Sequence, residues 1–281
     1  MKVKITSDST CDLSPALIEK YAVDILPLSV TMGDKSYKDG VDMDTDDIFA
    51  FVDTTGTLPH TSAVNIGEYT DVFQRWIGEG YELVHFSLSS GMSSAYRNAC
   101  IAAEETGHVR VVDAKNLSTG QGLLVVHAAE LAAKGASPDA IFEECTALAE
   151  KVEASFVIDR LDYLYKGGRC SALSALGANL MKLKPCIEVK DGKMSPGKKY
   201  RGSFEKVIEQ YVRERLEGRT DIDTSRIFVT HSKCPDGLGQ KVAALVREIV
   251  PDAGEILETD AGATVTTHCG PNTLGVLFIR K

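Results

Sequence analysis

The stretch HFSLSSGMSSAYRNA, residues 85–99, holds five serines and one glycine between an apolar run and a run of small residues. The run Glu82–Leu88 indicates a strand, and Ala95, Ala99 and Ala102 indicate the helix that follows it. The segment Ser89–Ser94, called the serine turn below, therefore lies where a strand is followed by a helix. Ligands of α/β sheets favour this edge, where the carboxyl ends of the strands meet.

The serine turn has three possible roles. The first N–H groups of a helix have no intrahelical partner and carry the positive end of its dipole, so the turn could hold a carboxylate or phosphate. Alternatively, the serines only cap the helix. A catalytic serine is the third possibility, but SSGMS lacks the G-x-S-x-G frame of a nucleophile elbow. The sequence also lacks both G-x-x-x-x-G-K-[ST] and G-x-G-x-x-G, so no nucleotide-binding motif is present.

Composition and charge indicate an ordinary globular protein. The chain has 281 residues, 43% of them hydrophobic, which suffices for one large or two ordinary domains. No apolar stretch approaches the roughly eighteen residues that span a bilayer, and Met1–Asp8 has the pattern of a first strand rather than a signal peptide. We therefore expect a cytoplasmic protein. The net charge of −9 argues against nucleic-acid binding but not against a small anionic ligand.

The seven cysteines are scattered without C-x-x-C spacing, which argues against a disulfide framework and against a structural zinc site. We expect reduced thiols, no metal and no cofactor.

Strand-like and helical patterns alternate through the first half of the chain. The strand-like runs are Val3–Thr6, Leu83–Leu88 and Val109–Val112. The helical patterns are Pro15–Tyr21, Thr45–Val52, Ser93–Glu105, Gly120–Ala133 and Pro138–Val152. This alternation favours an α/β structure with a largely parallel sheet.

The second half of the chain has a different pattern. A hairpin is predicted from Pro185 through the Asp191-Gly192 turn pair, and a helix follows Ser203. Two further strands are predicted over Ile227–Thr230 and Leu274–Ile279, and a helix is predicted between them over Gly237–Ile249. The change of pattern predicts two domains. Residues 1–157 carry the serine turn, and residues 158–281 carry Arg169, the 190–201 hairpin and His268.

Three other stretches offer polar groups. They are LPHTSAVN with Thr61 and Ser62, YLYKGGRCSALSALG with Arg169, and THCGPNTLGVLF with His268. Each has an ordinary structural explanation as well. Thr61 and Ser62 can close a turn, Arg169 can be a surface charge beside a helix capped by Ser171, and a single histidine is more often structural than functional.

Taken together, these stretches resemble the DegV family of bacterial fatty-acid-binding proteins. The resemblance covers essentially the whole chain, and the motifs occur in the family's order and at about its spacing. They are TSDST (6–10), HTSAVN (60–65), SLSSGMSSAY (87–96), LDYLYKGGR (161–169), KLKPCIEVKDGKM (182–194) and HCGPNTLGVLF (268–278).

The resemblance implies an N-terminal three-layer α/β/α domain with a mainly parallel sheet and a C-terminal two-layer α/β domain with a mixed sheet. It also implies a non-enzymatic carrier that binds a long-chain fatty acid, with its carboxylate at the serine turn and its tail in an apolar tunnel. A separate ATP-dependent fatty acid kinase would convert the presented carboxyl group to an acyl phosphate. Nucleic acid is not an expected partner, and membrane contact is transient at most.

The resemblance also assigns residues. Ser93 and Thr61 are similar to the direct carboxylate partners, and Ser62 lies nearby. Arg169 and His268 are similar to residues that complete the polar network, and Arg201 is similar to a basic residue that faces the kinase.

The chain departs from the family pattern at two places. Members often show Pro-Thr-Ser-Gln-Pro and Leu-Ser-Gly-Thr-Tyr, where this chain has His60–Val64 and Met92–Tyr96. The hydroxyls of Thr61 and Ser93 are kept. Ser94 replaces a glycine beside the head group, which removes backbone freedom there, and we count it among the ligand-binding residues.

Two alternative functions remain open at this stage: an acyl-ester hydrolase using Ser93 and His268, and a carrier of another small anionic ligand. A basic cluster, Lys190, Lys193, Lys198, Lys199 and Arg201, is either a solvated loop or a surface that steers an acidic kinase. We expect Leu173, Leu176, Leu180 and Leu183 to be ordinary core rather than tail-lining residues.

Overall fold

The computed structural model describes residues 2–170 and 183–281. The first part contains strands β1 (Lys2–Asp8), β2 (Asp24–Leu26), β3 (Ser29–Met32), β4 (Lys35–Lys38), β5 (His60–Ser62), β6 (Tyr81–Ser87) and β7 (Val109–Asp113). Its helices are α1 (Pro15–Lys20), α2 (Thr45–Thr55), α3 (Ile66–Gly78), α4 (Ala95–Thr106), α5 (Thr119–Ala133) and α6 (Pro138–Ala149).

The remaining strands and helices follow residue 150. The strands are β8 (Val152–Ile158), β9 (Lys184–Lys190), β10 (Lys193–Tyr200), β11 (Ile222–Ser232), β12 (Glu255–Asp260) and β13 (Thr273–Arg280). The helices are α7 (Leu161–Gly167), α8 (Phe204–Leu216), α9 (Leu238–Ile249) and α10 (Ala263–Cys269). Ser171, Leu173, Leu176 and Leu180 lie outside the described residues, so the predictions made for them have no structural counterpart here.

A parallel four-stranded sheet organises the first half, in the order β2-β1-β6-β7. Successive residues of a strand face opposite sides of the sheet, and β6 shows this clearly. Leu83 packs with Tyr69 and Phe73 of α3, whereas Val84 packs into a core that contains α5. Helices therefore cover both faces, which confirms the predicted three-layer arrangement.

A mixed six-stranded sheet organises the second half, in the order β10-β9-β8-β13-β11-β12. All neighbouring pairs are antiparallel except β11 and β12, which are parallel. Helices α8 and α9 cover one face of this sheet. The predicted mixed sheet and the Asp191-Gly192 hairpin are thus confirmed.

Helix α5 joins the two halves because it packs against both large sheets. Ten of its fifteen residues are buried, including the run Leu123–Val126. This run belongs to one continuous core with Phe86 of the parallel sheet and with Phe156 and Leu277 of the mixed sheet. A helix that is apolar on all sides can be stable only when it is enclosed in this way.

A small antiparallel sheet, β4-β3-β5, was not expected from the sequence. Its central residue Val30 is fully buried and packs in a cluster with Ile48 of α2, Tyr163 of α7 and Ala263 of α10. This cluster places β5, α7 and α10 side by side although they are far apart in the chain.

Strand β8 pairs over its whole length with strands of the mixed sheet, and the predicted boundary at residue 157 falls within it. We propose that the chain divides in the turn before β8. Within the described ranges, no helix is long and apolar enough to cross a membrane.

Candidate functional site

A cleft opens beside the carboxyl ends of β1 and β6. It encloses about 510 Å³, including its opening to solvent. The cleft is lined by Thr10, Leu28, Thr61, Ala63, Leu88, Met92, Ser93, Leu117, Arg169, Met194, Thr264, Val265, His268 and Cys269. Four of the six predicted ligand-binding residues are therefore brought together: Thr61, Ser93, Arg169 and His268. The other two, Ser62 and Ser94, are exposed and do not line it.

Thr61 and His268 form a pair on one side of the cleft. Pairing with Val30 of β3 holds Thr61 in β5, and α10 presents His268 from the other half of the chain. Thr61 Oγ1 lies 2.8 Å from His268 Nε2. Burial, reinforced by the Arg169 charge, lowers the pKa of His268 to about 4, so its imidazole is neutral at physiological pH.

The tautomer of His268 decides what Thr61 can do. When Nε2 carries the proton, it donates to Thr61 Oγ1 and leaves the threonine hydroxyl hydrogen available for a ligand. The other ring nitrogen, Nδ1, is buried and has no hydrogen-bond partner among the described residues. A Cβ atom on Gly167 would lie 2.4 Å from Nδ1, so glycine at this position allows α7 to pack against the imidazole.

The serine turn forms another side of the cleft. Ser93 N donates to Ser89 O at 3.2 Å, and Ser93 Oγ accepts from Ala95 N at 3.1 Å where α4 begins. Ser93 therefore accepts a hydrogen bond from the helix start, as the capping interpretation predicts, and also lines the cleft, where anion binding stays a prediction. Ser94 occupies the N-cap position without a side-chain capping bond.

The geometry does not favour Ser93 as a nucleophile. No hydrogen bond joins Ser93 to His268 in the part of the chain that the structure describes, because Thr61 occupies Nε2. A catalytic triad also requires a carboxylate that accepts from the other ring nitrogen of the histidine. Among the described residues, none does so, because His268 Nδ1 has no hydrogen-bond partner.

Thr10 and Thr264 line the cleft but were not predicted as site residues. Thr264 is 4% exposed, and within residues 2–170 and 183–281 its Oγ1 has no hydrogen-bond partner. A buried hydroxyl without a hydrogen-bond partner destabilises the folded protein unless a ligand or a water molecule bonds to it. Thr10 ends the TSDST motif, which was a signal for it in the sequence, whereas Thr264 is identified only by its place in the folded chain because α10 is too short to be predicted from periodicity.

A buried polar network around Asp8 holds the end of β6, directly before the serine turn. The Asp8 carboxylate accepts from Leu88 N at 2.8 Å, from Ser87 Oγ at 3.1 Å and from Gln121 Nε2 at 2.9 Å. Burial raises the pKa of Asp8, while these hydrogen bonds favour its ionised form. The TSDST motif thus fixes the end of β6 immediately before the serine turn.

Two further carboxylates hold α10 at its N-terminus. Asp39 accepts from Ala263 N at 2.8 Å and from Thr264 N at 3.2 Å, and Asp12 accepts from Gly262 N at 2.9 Å. They satisfy N–H groups that a helix leaves without partners. Burial raises the pKa of Asp12 to about 8.

Arg169 lies at the mouth of the cleft, where its Nη1 donates to Gly167 O at 2.7 Å. The side chain is exposed, so solvent screens its charge. No group of three His, Cys, Asp or Glu side chains within residues 2–170 and 183–281 could hold a metal ion.

A narrow and mainly apolar space, called the apolar extension below, adjoins the cleft. Leu117, Val265 and Cys269 line both spaces, and the extension runs on past Ala154, Phe156 and Leu277 of the mixed sheet. On the outer side, Thr61, Arg169 and His268 also line a vestibule that opens to solvent. The three spaces are therefore neighbours through shared lining residues, and their walls become more polar from the extension, which Ser118, Thr230, His231 and Thr273 also line, to the vestibule.

The fold and sequence match proteins that are known to bind fatty acids. A DegV family protein from Thermus thermophilus, solved for its fatty-acid binding, superposes with a TM-score of 0.85 at 28% identity over 100% of both chains. A stearic acid-binding protein from Eubacterium ventriosum gives 0.84 at 27% identity over 100% of this chain and 99% of the other.

Sequence comparison agrees with the fold. A DegV domain-containing protein of Clostridium acetobutylicum is 33% identical, covering 100% of this chain and 99% of its own length. The family model described as "Uncharacterised protein, DegV family" matches residues 2–281. The chain belongs to the DegV family, as its motifs predicted.

Proposed function

We propose that this protein is a cytoplasmic carrier that binds one long-chain fatty acid and presents its carboxyl group to a separate ATP-dependent kinase. The proposal rests on the order in which three spaces adjoin one another: the apolar extension, the hydroxyl-lined cleft and the open vestibule. A fatty acid has the same polarity order along its length. The solved relatives that bind fatty acids support the same assignment.

The apolar extension suits the tail. Moving an alkyl chain out of water stabilises the complex by about 0.8 kcal/mol per CH₂ group. The extension lies between Leu117, which precedes α5, and the mixed sheet, where Phe156 and Leu277 provide apolar walls. The tail would therefore enter the core that connects the two halves of the protein.

The hydroxyl groups of the cleft suit the carboxylate. An ionised head group resists burial unless hydrogen bonds replace its water, and Thr61, Ser93 and Thr264 can donate such bonds. Arg169 at the mouth adds a favourable field. Because these contacts are hydroxyl donors, the carboxylate stays ionised and one oxygen can attack the γ-phosphorus of ATP. That step forms the carboxyl O–P bond, breaks the bond to ADP and yields an acyl phosphate.

Ser93→Ala tests the head-group assignment. A charge-assisted hydrogen bond contributes roughly 1.5 to 3 kcal/mol, so loss of the Ser93 hydroxyl should weaken fatty-acid binding about ten- to a hundred-fold. Titration with a fluorescent fatty acid measures the change, and native mass spectrometry of gently purified wild type should show a copurified acid.

Ser94→Ala is the matched control because Ser94 is adjacent but exposed and does not line the cleft. Equal affinities for both variants would remove Ser93 from the site. Stoichiometric acylation of Ser93 by an activated ester, followed by turnover, would replace the carrier proposal with the hydrolase alternative.

The basic cluster lies on the hairpin that contacts the serine turn. Ser89 Oγ donates to Gly192 O at 2.7 Å, and Met194 of the same hairpin lines the cleft. Lys190 and Lys198 pair with Glu188 and Glu214. The other three members, Lys193, Lys199 and Arg201, are exposed and form no ion pair with any described residue.

We expect Arg201→Glu to leave fatty-acid affinity unchanged and to lower acyl phosphate formation by the cognate kinase with ATP. The reason is that charge reversal on this surface slows encounter with an acidic partner, and the wild-type rate should fall as salt rises. Lys134→Glu, an exposed charge reversal after α5, is the control. Phosphorylation of the Arg201 variant at the wild-type rate across salt concentrations would exclude Arg201 from the docking surface.

A further inference from the structure

Three of the described residues line both the cleft and the apolar extension, and together they are called the neck below. They are Leu117 from the loop before α5, and Val265 and Cys269 from α10. Val265 and Cys269 lie four residues apart and therefore share one face of the helix. All three side chains are buried and pack in one core cluster. A fatty acid that reaches from the cleft into the extension must pass between them.

The residue after Leu117 has a strained backbone. Ser118 adopts φ 54° and ψ −146°, a conformation that glycine reaches readily and that other residues rarely adopt. Such a conformation persists only where surrounding contacts enforce it. Ser118 Oγ donates to Asp12 Oδ2 at 2.5 Å, and both residues are buried. On the other side of Leu117, the Asn116 carbonyl accepts from Ser89 N at 3.1 Å. Leu117 is therefore held between two fixed points.

Asp12 also holds the other side of the neck. Its Oδ1 accepts from Gly262 N at 2.9 Å, directly before α10 begins. One carboxyl group thus joins the loop that carries Leu117 to the helix that carries the other two neck residues. The separation of these two elements depends on the bridge from Ser118 through Asp12 to Gly262.

We propose that Ser118 is a positioning residue for acyl-chain selection: through its bond to Asp12 it holds Leu117 in the neck, which then favours straight, saturated chains. This inference rests on the proposed function. A cis double bond bends the chain, so a bend at the neck must displace packed side chains, as overpacking of a core does. A straight chain presents the cross-section of one methylene group at every position. The penalty should therefore depend on where along the chain the bend lies.

The wild-type protein provides the first test. Displacement of a fluorescent fatty acid measures the affinities of palmitate and of three cis-hexadecenoates, whose double bonds lie near the carboxyl end, in the middle and near the methyl end. We expect one isomer to bind about ten-fold more weakly than palmitate, and the others to bind within about three-fold of it. Equal penalties for all three isomers, or no penalty, would overturn the inference. Wild type that binds neither palmitate nor any isomer would instead refute the proposed function.

Two substitutions at Ser118 separate the backbone from the hydroxyl group. Ser118→Ala and Ser118→Gly both remove the bond to Asp12, but only alanine leaves a strained residue without support, because glycine adopts the loop conformation readily. We expect Ser118→Ala to bind the disfavoured isomer nearly as well as palmitate, and Ser118→Gly to retain most of the wild-type preference. Equal loss of preference in both variants would overturn the inference, because the hydroxyl group would then act on the tail directly.

Ser137→Ala is the matched control, since Ser137 caps α6, is exposed and lines neither space. It should keep the wild-type preference. Leu117→Ala shortens a neck residue itself and should abolish the preference, which keeps the test decisive if Ser118→Ala does not fold. Retention of the full preference by Leu117→Ala would show that the neck does not select the chain.

Discussion

The serine turn and helix α10 face the same cleft, and hydrogen bonds of different range hold them in place. Within the turn, Ser89 O accepts from Met92 N and Ser93 N at 2.9 and 3.2 Å, all within five residues. Helix α10 is held by Asp12 and Asp39, which lie 250 and 224 residues earlier than the N–H groups that they accept from. The serine turn is thus closed by local bonds, to which the long-range bond from Ser89 Oγ to Gly192 O is added, whereas the start of α10 is held by acceptors more than 200 residues away.

Of the variants considered, Asp39→Ala should have the largest effect on stability, and it should disturb only the α10 side of the cleft. Removing the carboxylate leaves the buried N–H groups of Ala263 and Thr264 without acceptors, at a cost of about 2 to 4 kcal/mol in the free energy of unfolding. Chemical denaturation measures the loss, and fatty-acid affinity should fall with it because His268 moves. Asp39→Asn keeps one acceptor oxygen and should be intermediate.

Asp34→Ala, an exposed aspartate in the turn after β3, is the control and should leave stability unchanged. If Asp39→Ala retains wild-type stability, long-range anchoring of α10 is not what holds this side of the cleft.

Gly167→Ala should have an intermediate effect, and the quantity that it changes should be the affinity for the fatty acid. The new methyl group would lie 2.4 Å from His268 Nδ1, so the imidazole must shift and its contact with Thr61 must lengthen. Overpacking of this kind typically costs about 1 to 3 kcal/mol, and the same loss in binding free energy corresponds to roughly five- to a hundred-and-fifty-fold weaker fatty-acid binding. Gly78→Ala, where nothing lies within 4 Å of the added methyl, should bind as wild type does. Identical affinities would show that the imidazole position does not matter for binding.

The smallest expected effect is the dependence of stability on pH that His268 causes. The pKa of His268 is lowered to about 4 in the folded protein from an ordinary 6.5. Between these values the unfolded chain binds the proton and the folded one does not, so stability is full above pH 6.5 and falls as pH decreases toward 4. At pH 5.5 this group alone should destabilise the protein by about 1 kcal/mol relative to pH 7.5.

Comparison of wild type with His268→Gln isolates this contribution, because all other groups remain. Denaturation at several pH values should show that wild type loses more stability than the variant as pH falls. Parallel stability curves would mean that the His268 ring is solvated enough to titrate normally.

Local signals in the sequence were enough to predict the serine turn and the hairpin. A strand, a serine-rich turn and a helix follow one another within eighteen residues, Glu82–Ala99. The Asp-Gly pair at 191–192 has positive φ at both residues, as a tight hairpin requires. The family resemblance brought Thr61, Arg169 and His268 to the same site, where the structure also places them.

The remaining features could not be predicted because their partners are distant in the chain. Helices α7 and α10 have seven residues each, too few to show a period. The buried acceptors Asp8, Asp12 and Asp39 look like ordinary polar residues in sequence. The resemblance places Ser62 and Ser94 beside Thr61 and Ser93, but both are exposed, because in an extended strand or at a helix start the next side chain points elsewhere.

Helix α5 has a consequence for biosynthesis. Its apolar surface is complete once residue 133 has left the ribosome, but one of its two partner sheets includes β13, the strand Thr273–Arg280 near the end of the chain. A central strand of that sheet is therefore synthesised about 140 residues after α5. Until then, one side of α5 has no permanent cover, and a nascent chain of this length is exposed to aggregation. Because α5 shares one core with both sheets, we expect the two halves to unfold together as one cooperative unit.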